Sequence, residues 1–249
     1  MCPEDATRRW GRSEGRRPGA LYPRRVATLP EHLQGPPSKE RQVAAEVLAE
    51  HRRERVLSLV TPAFAKRGYP GISMPDLLAA GKVGAGYFYE MFDGKEDCFS
   101  AACERAIANG REAITLATSG ASGWGDRAYL GLAAALGFMV SEPMQARLVL
   151  VESQSAGPGA VARYNGLMDE AIAWLGAGRR AADVKGLPES FEQASITGLA
   201  YYLQQCLVDS RRHTAAELFS ETAGLLLEPI LGAAEMRRLA RDHTPVTSV

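Results

Sequence analysis

An all-α fold is predicted by three features of this 249-residue sequence. Apolar residues recur at spacings of three and four along long stretches, Ser/Asp-x-x-acid pairs sit where such stretches begin, and Gly and Pro cluster where they end. No stretch shows the two-residue alternation of a half-buried strand. The 29 Lys+Arg balance 29 Asp+Glu, and 46% of residues are hydrophobic, so the chain can bury a sizeable core. A neutral molecule can bind a polyanion only through a local basic surface. Four cysteines without C-x-x-C spacing, distant in sequence from the four histidines, argue against a disulfide framework or zinc module. No metal site, cofactor or catalytic constellation is expected, because nucleotide-binding glycine loops, metal spacings and nucleophile elbows are all missing from the sequence. With no apolar run of membrane-spanning length and no signal-peptide pattern at the N-terminus, a cytoplasmic, nucleoid-associated protein with no membrane partner is expected.

Residues 1 to 37 carry seven arginines among Gly and Pro with no helical period, which predicts a disordered Arg-rich arm. It is a solvated tail, an over-extended start of the reading frame, or an arm that tracks DNA phosphates. Ser38 is placed to cap a long first helix whose face is Val43, Val47, Val56, Val60 and Phe64. Gly68 can end it in the left-handed conformation and Pro70 prevents resumption. Pro62 removes a backbone bond at a cost of about 3 kcal/mol, so a kink or break is expected near Ser58 to Pro62.

Ser73 and Asp76 have the spacing of a capping box, and Pro75 falls in the first turn of the short helix they open. Gly81, Gly84 and Gly86 mark a turn. Tyr87, Phe88, Tyr89 and Phe92 follow in a third helix expected to end near Gly94. Asp93 and Glu96 repeat the capping-box spacing, so Asp93 is expected to cap a fourth helix. After a Ser/Gly-rich break at 118 to 125, helices are expected over 126 to 141, 143 to 156, 159 to 180, 189 to 210 and 214 to 240, about nine in all. The domain boundaries read from this pattern are an arm at 1–37, a helix-turn-helix domain at 38–108, a second helical domain at 109–240 and a flexible tail at 241–249.

Long helix, short helix, glycine-containing turn, short aromatic helix and long helix, in that order, make a helix-turn-helix arrangement. The segment from Arg52 to Ala102 resembles the DNA-binding domain of the tetracycline-repressor (TetR) family. The resemblance is carried by Phe64-x-x-x-Gly68-Tyr69, by Ser73-x-x-Asp76-Leu77 and by Gly86-x-Phe88-Tyr89-x-x-Phe92-x-x-Lys95-Glu96-Asp97. Phe88 and Phe92 are one turn apart and should face Phe64 and Leu77, fixing the third helix. Tyr87, Tyr89, Glu90 and Met91 would then lie on other faces, where Tyr87 and Glu90 could meet base edges, and Ala85 and Gly86 at the helix start are further DNA-contact candidates with few hydrogen-bonding groups. The resemblance assigns Tyr89 a phosphate. Lys95 and Ser73 lie at helix starts, and Arg52, Arg53, Arg55 and Lys82 are further phosphate candidates. The recognition helix opens on Gly84-Ala85-Gly86, without the serine cap usual in that family.

The same resemblance implies a C-terminal helical domain that dimerises and binds a small molecule. Phe191, Ala194, Gly198, Tyr202, Leu218, Thr222, Leu225 and Leu226, together with Leu199, Cys206 and Ile230, form stripes that suit either a two-fold four-helix interface or an internal core seam. Tyr129, Phe138, Met139, Met144, Leu148 and Trp174 are candidate walls of an effector pocket, or plain core. The implied function is a homodimeric repressor released from palindromic double-stranded DNA by an unidentified small-molecule effector. The alternative is a helical dimeric ligand-sequestering protein with a weakened DNA site.

Overall fold

The structure, a computed structural model, describes residues 39–209 and 213–243. The arm at 1–37, the cap at Ser38 and the tail beyond His243 lie outside the described residues. Among the described residues the fold is made of ten α-helices and one 3₁₀ turn, with no strand. The helices are α1 Lys39–Arg67, α2 Met74–Gly81, α3 Ala85–Tyr89, α4 Lys95–Thr118, α5 Trp124–Ser141, α6 Pro143–Leu150, α7 Pro158–Ala181, α8 Phe191–Val208, α9 Ala215–Leu226 and α10 Glu228–Asp242. The 3₁₀ turn, Glu152–Ser155, follows α6. Lys39 to Glu46 separate from the compact unit that begins at Val47, and the architecture below is that of the latter.

Helix α1 runs through Pro62 without the expected break. Val56, Leu57, Val60, Phe64 and Ala65, on both sides of the proline, are buried. Burying each large apolar side chain stabilises by about 1.5–3 kcal/mol, so together they outweigh the bond that Pro62 removes. The helix ends as the sequence predicts: Gly68 takes φ +75° and its N–H bonds Phe64 O at 2.9 Å.

The Ser73 capping box forms in full. The Asp76 N–H donates to Ser73 Oγ at 3.3 Å, and the Ser73 N–H donates to Asp76 Oδ2 at 3.2 Å. The expected cap at Asp93 does not form. Gly94 is the N-cap of α4, and the Asp93 N–H instead donates to Asp97 Oδ2 at 3.0 Å, which shifts the reciprocal bond along the chain. Helix α3 ends at Tyr89 rather than near Gly94. Phe92 leaves the helix but keeps its N–H on Phe88 O at 2.9 Å, so its ring still reaches the core.

Two apolar clusters organise the compact unit. The first holds Val56, Leu57, Phe64, Ile72, Leu77, Phe88, Phe92 and Phe99, and also takes Leu148, Ala156 and Ala160 from beyond α5. Phe64 and Phe99 meet edge-to-face at 5.2 Å, and Phe88 and Phe92 pack at 5.2 Å. The second holds Leu132, Leu136, Met139, Leu175, Ile196, Leu218, Leu226, Leu227 and Ile230 from α5 and α7 to α10. Helix α4 packs along α5 and supplies Phe99, Ala102 and Cys103 to the first cluster. Against Trp124, α7 approaches so closely that a Cβ at Gly178 would fall 2.0 Å from the indole, so only glycine fits there.

Two sequence-predicted spans were too long. The α6 helix stops at Leu150 and tightens into the 3₁₀ turn. The span 214–240 divides at Leu227, because Pro229 has no N–H to continue α9 but suits the first turn of α10. Gly232, at φ +76° and ψ 155°, then kinks α10.

Candidate DNA-binding face and effector cavity

The site is built on the first cluster. Phe88 and Leu77 are fully buried and Phe92 is nearly so, which anchors α2 and α3 as expected. Their outer side exposes Ser73, Lys82, Gly84, Ala85, Gly86, Tyr87, Tyr89 and Glu90. Tyr89 is 56% exposed, its ring set perpendicular to Phe88 at 5.5 Å. Arg52 and Arg55 are also exposed. The Arg52 guanidinium lies over the Tyr87 ring at 5.8 Å and the Arg53 guanidinium over the Phe92 ring at 5.2 Å, so α1 and α3 share a cationic edge. Lys82 takes the left-handed conformation that closes α2, and its side chain is exposed.

Three candidates on this face have other partners. The Lys95 ammonium donates to Tyr69 O and Ile72 O, both at 3.0 Å, and sits 4.2 Å from the centre of the Tyr69 ring. Two of its three donors therefore close the loop between α1 and α2 instead of facing outward. Met91 packs against the first cluster, since the chain has already left α3. Ser73 gives its hydroxyl proton to Asp76 Oδ2 at 2.6 Å, while Arg67 holds Asp76 Oδ1 at 2.9 Å. These bonds from Ser73 and Arg67 draw the Asp76 carboxyl down to about 2.

A cavity of about 270 Å³ lies among α4, α5, α6, α7 and α8. Its walls are almost wholly apolar, with Ile107, Leu136, Phe138, Met139, Val149 and Leu203 among them. Arg111 is its single charged wall residue and Gln145 its single amide. Of the six sequence candidates, Phe138 and Met139 line it. Leu148 does not, being fully buried in the first cluster instead. Tyr129 packs on Phe219 at 4.7 Å, and Trp174 packs at a tilt on Trp124 at 5.3 Å. Met144 is half-buried on α6, outside the lining. Spacing could not separate these cases, since periodicity marks an apolar position and not the neighbour that covers it.

A second, open groove of about 520 Å³ runs between α8 and α9, lined by Ala194, Gly198, Tyr202, Thr222, Leu225 and Leu226. Leu225 is 77% exposed and Tyr201 63%. Ala194 and Gly198 are exposed beside them, and a Cβ at Gly198 would meet nothing within 4 Å. Leu218, Thr222 and Leu226 are buried within the chain and form the base of α9, and Phe191 packs on the second cluster. The Tyr202 hydroxyl donates to the Glu221 carboxylate across the groove, and its own pKa is raised, chiefly by that bond.

Sequence reading missed an interior ion pair. Arg147 on α6 donates through Nε to Ala65 O at 2.6 Å on α1 and through Nη1 to Leu207 O at 3.0 Å on α8, and its Nε lies 3.4 Å from the buried Glu152 carboxylate. Residues five apart have no helical signature, so no spacing rule could have found it. Asp126, at the start of α5, likewise gathers His243 at 2.8 Å, Ser122 at 3.0 Å and Arg238 at 3.5 Å. Among the described residues no three His, Cys, Asp or Glu come together to hold a metal ion, and no helix is long and apolar enough to cross a membrane.

No protein-family model matches the sequence, and no curated protein matches it significantly. Solved structures do match. The transcriptional regulator FadR from Bacillus subtilis, in complex with stearoyl-CoA, superposes with a TM-score of 0.59 at 14% identity, over 72% of this chain and 98% of that one. AibR, in complex with isovaleryl coenzyme A and operator DNA, gives 0.59 at 15% identity, over 72% and 99%. A regulatory protein in the TetR family from Rhodococcus RHA1 gives 0.58 at 19% identity, over 72% and 96%. The all-α fold is therefore that of TetR-like transcriptional regulators, as the sequence resemblance implied.

Proposed function

We propose that this protein is a DNA-binding transcriptional regulator, not an enzyme, that acts as a homodimeric repressor and leaves a palindromic operator when a small molecule enters the α4–α8 cavity. One observation carries the reading. Phe88 and Phe92 are buried while Tyr87, Tyr89 and Glu90 around them are exposed, as are Arg52, Arg55 and Lys82, so α3 is held from behind and presented outward. Tyr87 and Glu90 would meet base edges, whereas Tyr89, Lys82 and the two arginines would meet phosphates. In this reading 38–108 bind DNA and 109–240 hold effector and partner. Arg147 joins them, because it bonds α1 from the helix that supplies Gln145 and Val149 to the cavity wall. Coupling between such sites is typically about 1–3 kcal/mol, or roughly 5- to 150-fold in DNA affinity.

The fold neighbours support this: the matched structures are of transcriptional regulators, one of them on operator DNA. The test is fluorescence anisotropy on the DNA upstream of the protein's own coding region, at two salt concentrations with scrambled competitor. Specific binding that weakens with salt and falls on Tyr89→Phe or Arg52→Ala supports the regulator. A second reading, a dimeric ligand-sequestering protein, is favoured by the bare Gly84-Ala85-Gly86 start of α3. It is adopted if ligand binds while no specific DNA is found in a selection from random duplexes.

A further inference from the structure

The cavity's chemistry restricts what it can hold, granting that it is the effector site proposed above. Its walls offer hydrocarbon, and polar groups are confined to Arg111 and Gln145. Gln145 is committed at both ends of its amide: Oε1 accepts from Asn109 at 2.8 Å, and Nε2 donates to Glu142 at 2.9 Å. Arg111 differs. Its one partner across the seam between α4 and α7 is Glu170, at 2.5 Å, and both side chains are more than half exposed. An exposed pair of this kind is worth little and exchanges readily with solvent or another anion. Arg111 thus joins the lining of an apolar cavity to an exposed ion pair, whose carboxylate another anion can replace in kind.

We infer that the cavity takes an amphiphile with an anionic head, the head displacing Glu170 from Arg111 and the hydrocarbon lying against Leu136, Met139, Val149 and Leu203. A cavity of about 270 Å³ has the scale of a medium-length hydrocarbon chain, which sets the choice of ten-carbon probes. A planar guanidinium suits a carboxylate bidentately. The free acid and a thioester whose carrier brings phosphates to the same mouth share this chemistry, and the experiment separates them.

The probes are decanoate, decanoyl-coenzyme A, decanol and decyltrimethylammonium, titrated calorimetrically into the full-length protein. Decanoate should bind about tenfold or more tightly than decanol, the scale of one charge-assisted hydrogen bond, and the cationic chain should be weakest. Arg111→Met should remove the preference for decanoate and leave decanol unchanged, while Arg111→Lys keeps part of it. Glu170→Gln should tighten decanoate by freeing the guanidinium. If the ion pair serves only as a strap between α4 and α7, the same substitution weakens every ligand, which overturns the inference. Tighter binding of the thioester than of decanoate assigns the head to a carrier's phosphates, provided Arg111→Met abolishes that gain. Equal binding of decanol and decanoate overturns the anionic head and leaves an effector cavity. Failure of all four probes overturns both.

Discussion

Lys95 shows how a residue can hold its place in a pattern while doing a different job. Its ammonium ties Tyr69 O and Ile72 O together, closing the loop on which the Ser73 capping box is built. Hydrogen bonds from a charged group contribute about 1.5–3 kcal/mol each, and Lys95 makes two, so Lys95→Met is expected to lower unfolding free energy by about 3 kcal/mol in urea titration. A solvated lysine would leave it within about 0.5 kcal/mol. The neighbouring carboxylate gives a pH signature. Asp76 is drawn down to about 2 by Ser73 and Arg67. A depressed carboxylate contributes stability that is complete above its unfolded value near 3.9 and fades as pH falls through the folded one. Wild type should therefore melt above Asp76→Asn at pH 5 and 6, with the difference closing between pH 4 and about 2. A constant difference across that range would show that the carboxylate is not held this way.

At the level of elements, what was legible followed local rules. Gly68 ended α1 and Ser73 opened α2, because each signal acts within one helical turn. The Phe88 and Phe92 face was legible because both point to one side of α3 and its exit turn. Pro62 misled because the benefit of burying α1 is tertiary. Four of the six pocket candidates missed the cavity, since periodicity marks a buried face and says nothing about which neighbour covers it. Arg147 is the extreme case: its three partners lie on α1, on α8 and in the 3₁₀ turn. Removing it leaves Glu152, whose side chain is only 9% exposed, without its cation. Breaking a buried pair from one side typically costs about 3–5 kcal/mol. Arg147→Met is expected to fall in that range by chemical denaturation, and adding Glu152→Gln should recover part of the loss by removing the stranded charge. A double variant no more stable than the single would mean that the carbonyl bonds to Ala65 and Leu207 carry the whole effect.

At the scale of the whole molecule, the feature that asks for a partner is the outer side of α8 and α9. Exposed residues on α8 recur at Ala194, Gly198, Tyr201, Gln205 and Val208, one helical stripe, and Leu225 stands out from α9 at 77% exposure. The small Ala194 and Gly198 leave a groove into which another helix could settle, while Tyr201, Val208 and Leu225 provide apolar area beside it. Two copies placed about a two-fold axis would bring each stripe against its equivalent, which is the self-complementary geometry of a closed dimer. A dimer formed in this way sets two α3 helices at a fixed separation and matches an operator with two half-sites. Leu225→Glu places a charge where the partner's apolar surface would lie, yet within the monomer it points to solvent and should leave the helical content and melting of the isolated fold unchanged. Light scattering at micromolar concentration should then report a dimer for wild type and a monomer for Leu225→Glu. On the function proposed above each monomer keeps one α3, so the variant should bind a half-site as wild type does and lose the added affinity for the full operator. If Leu225→Glu remains dimeric, association uses another surface and the α8–α9 groove is free for a different partner.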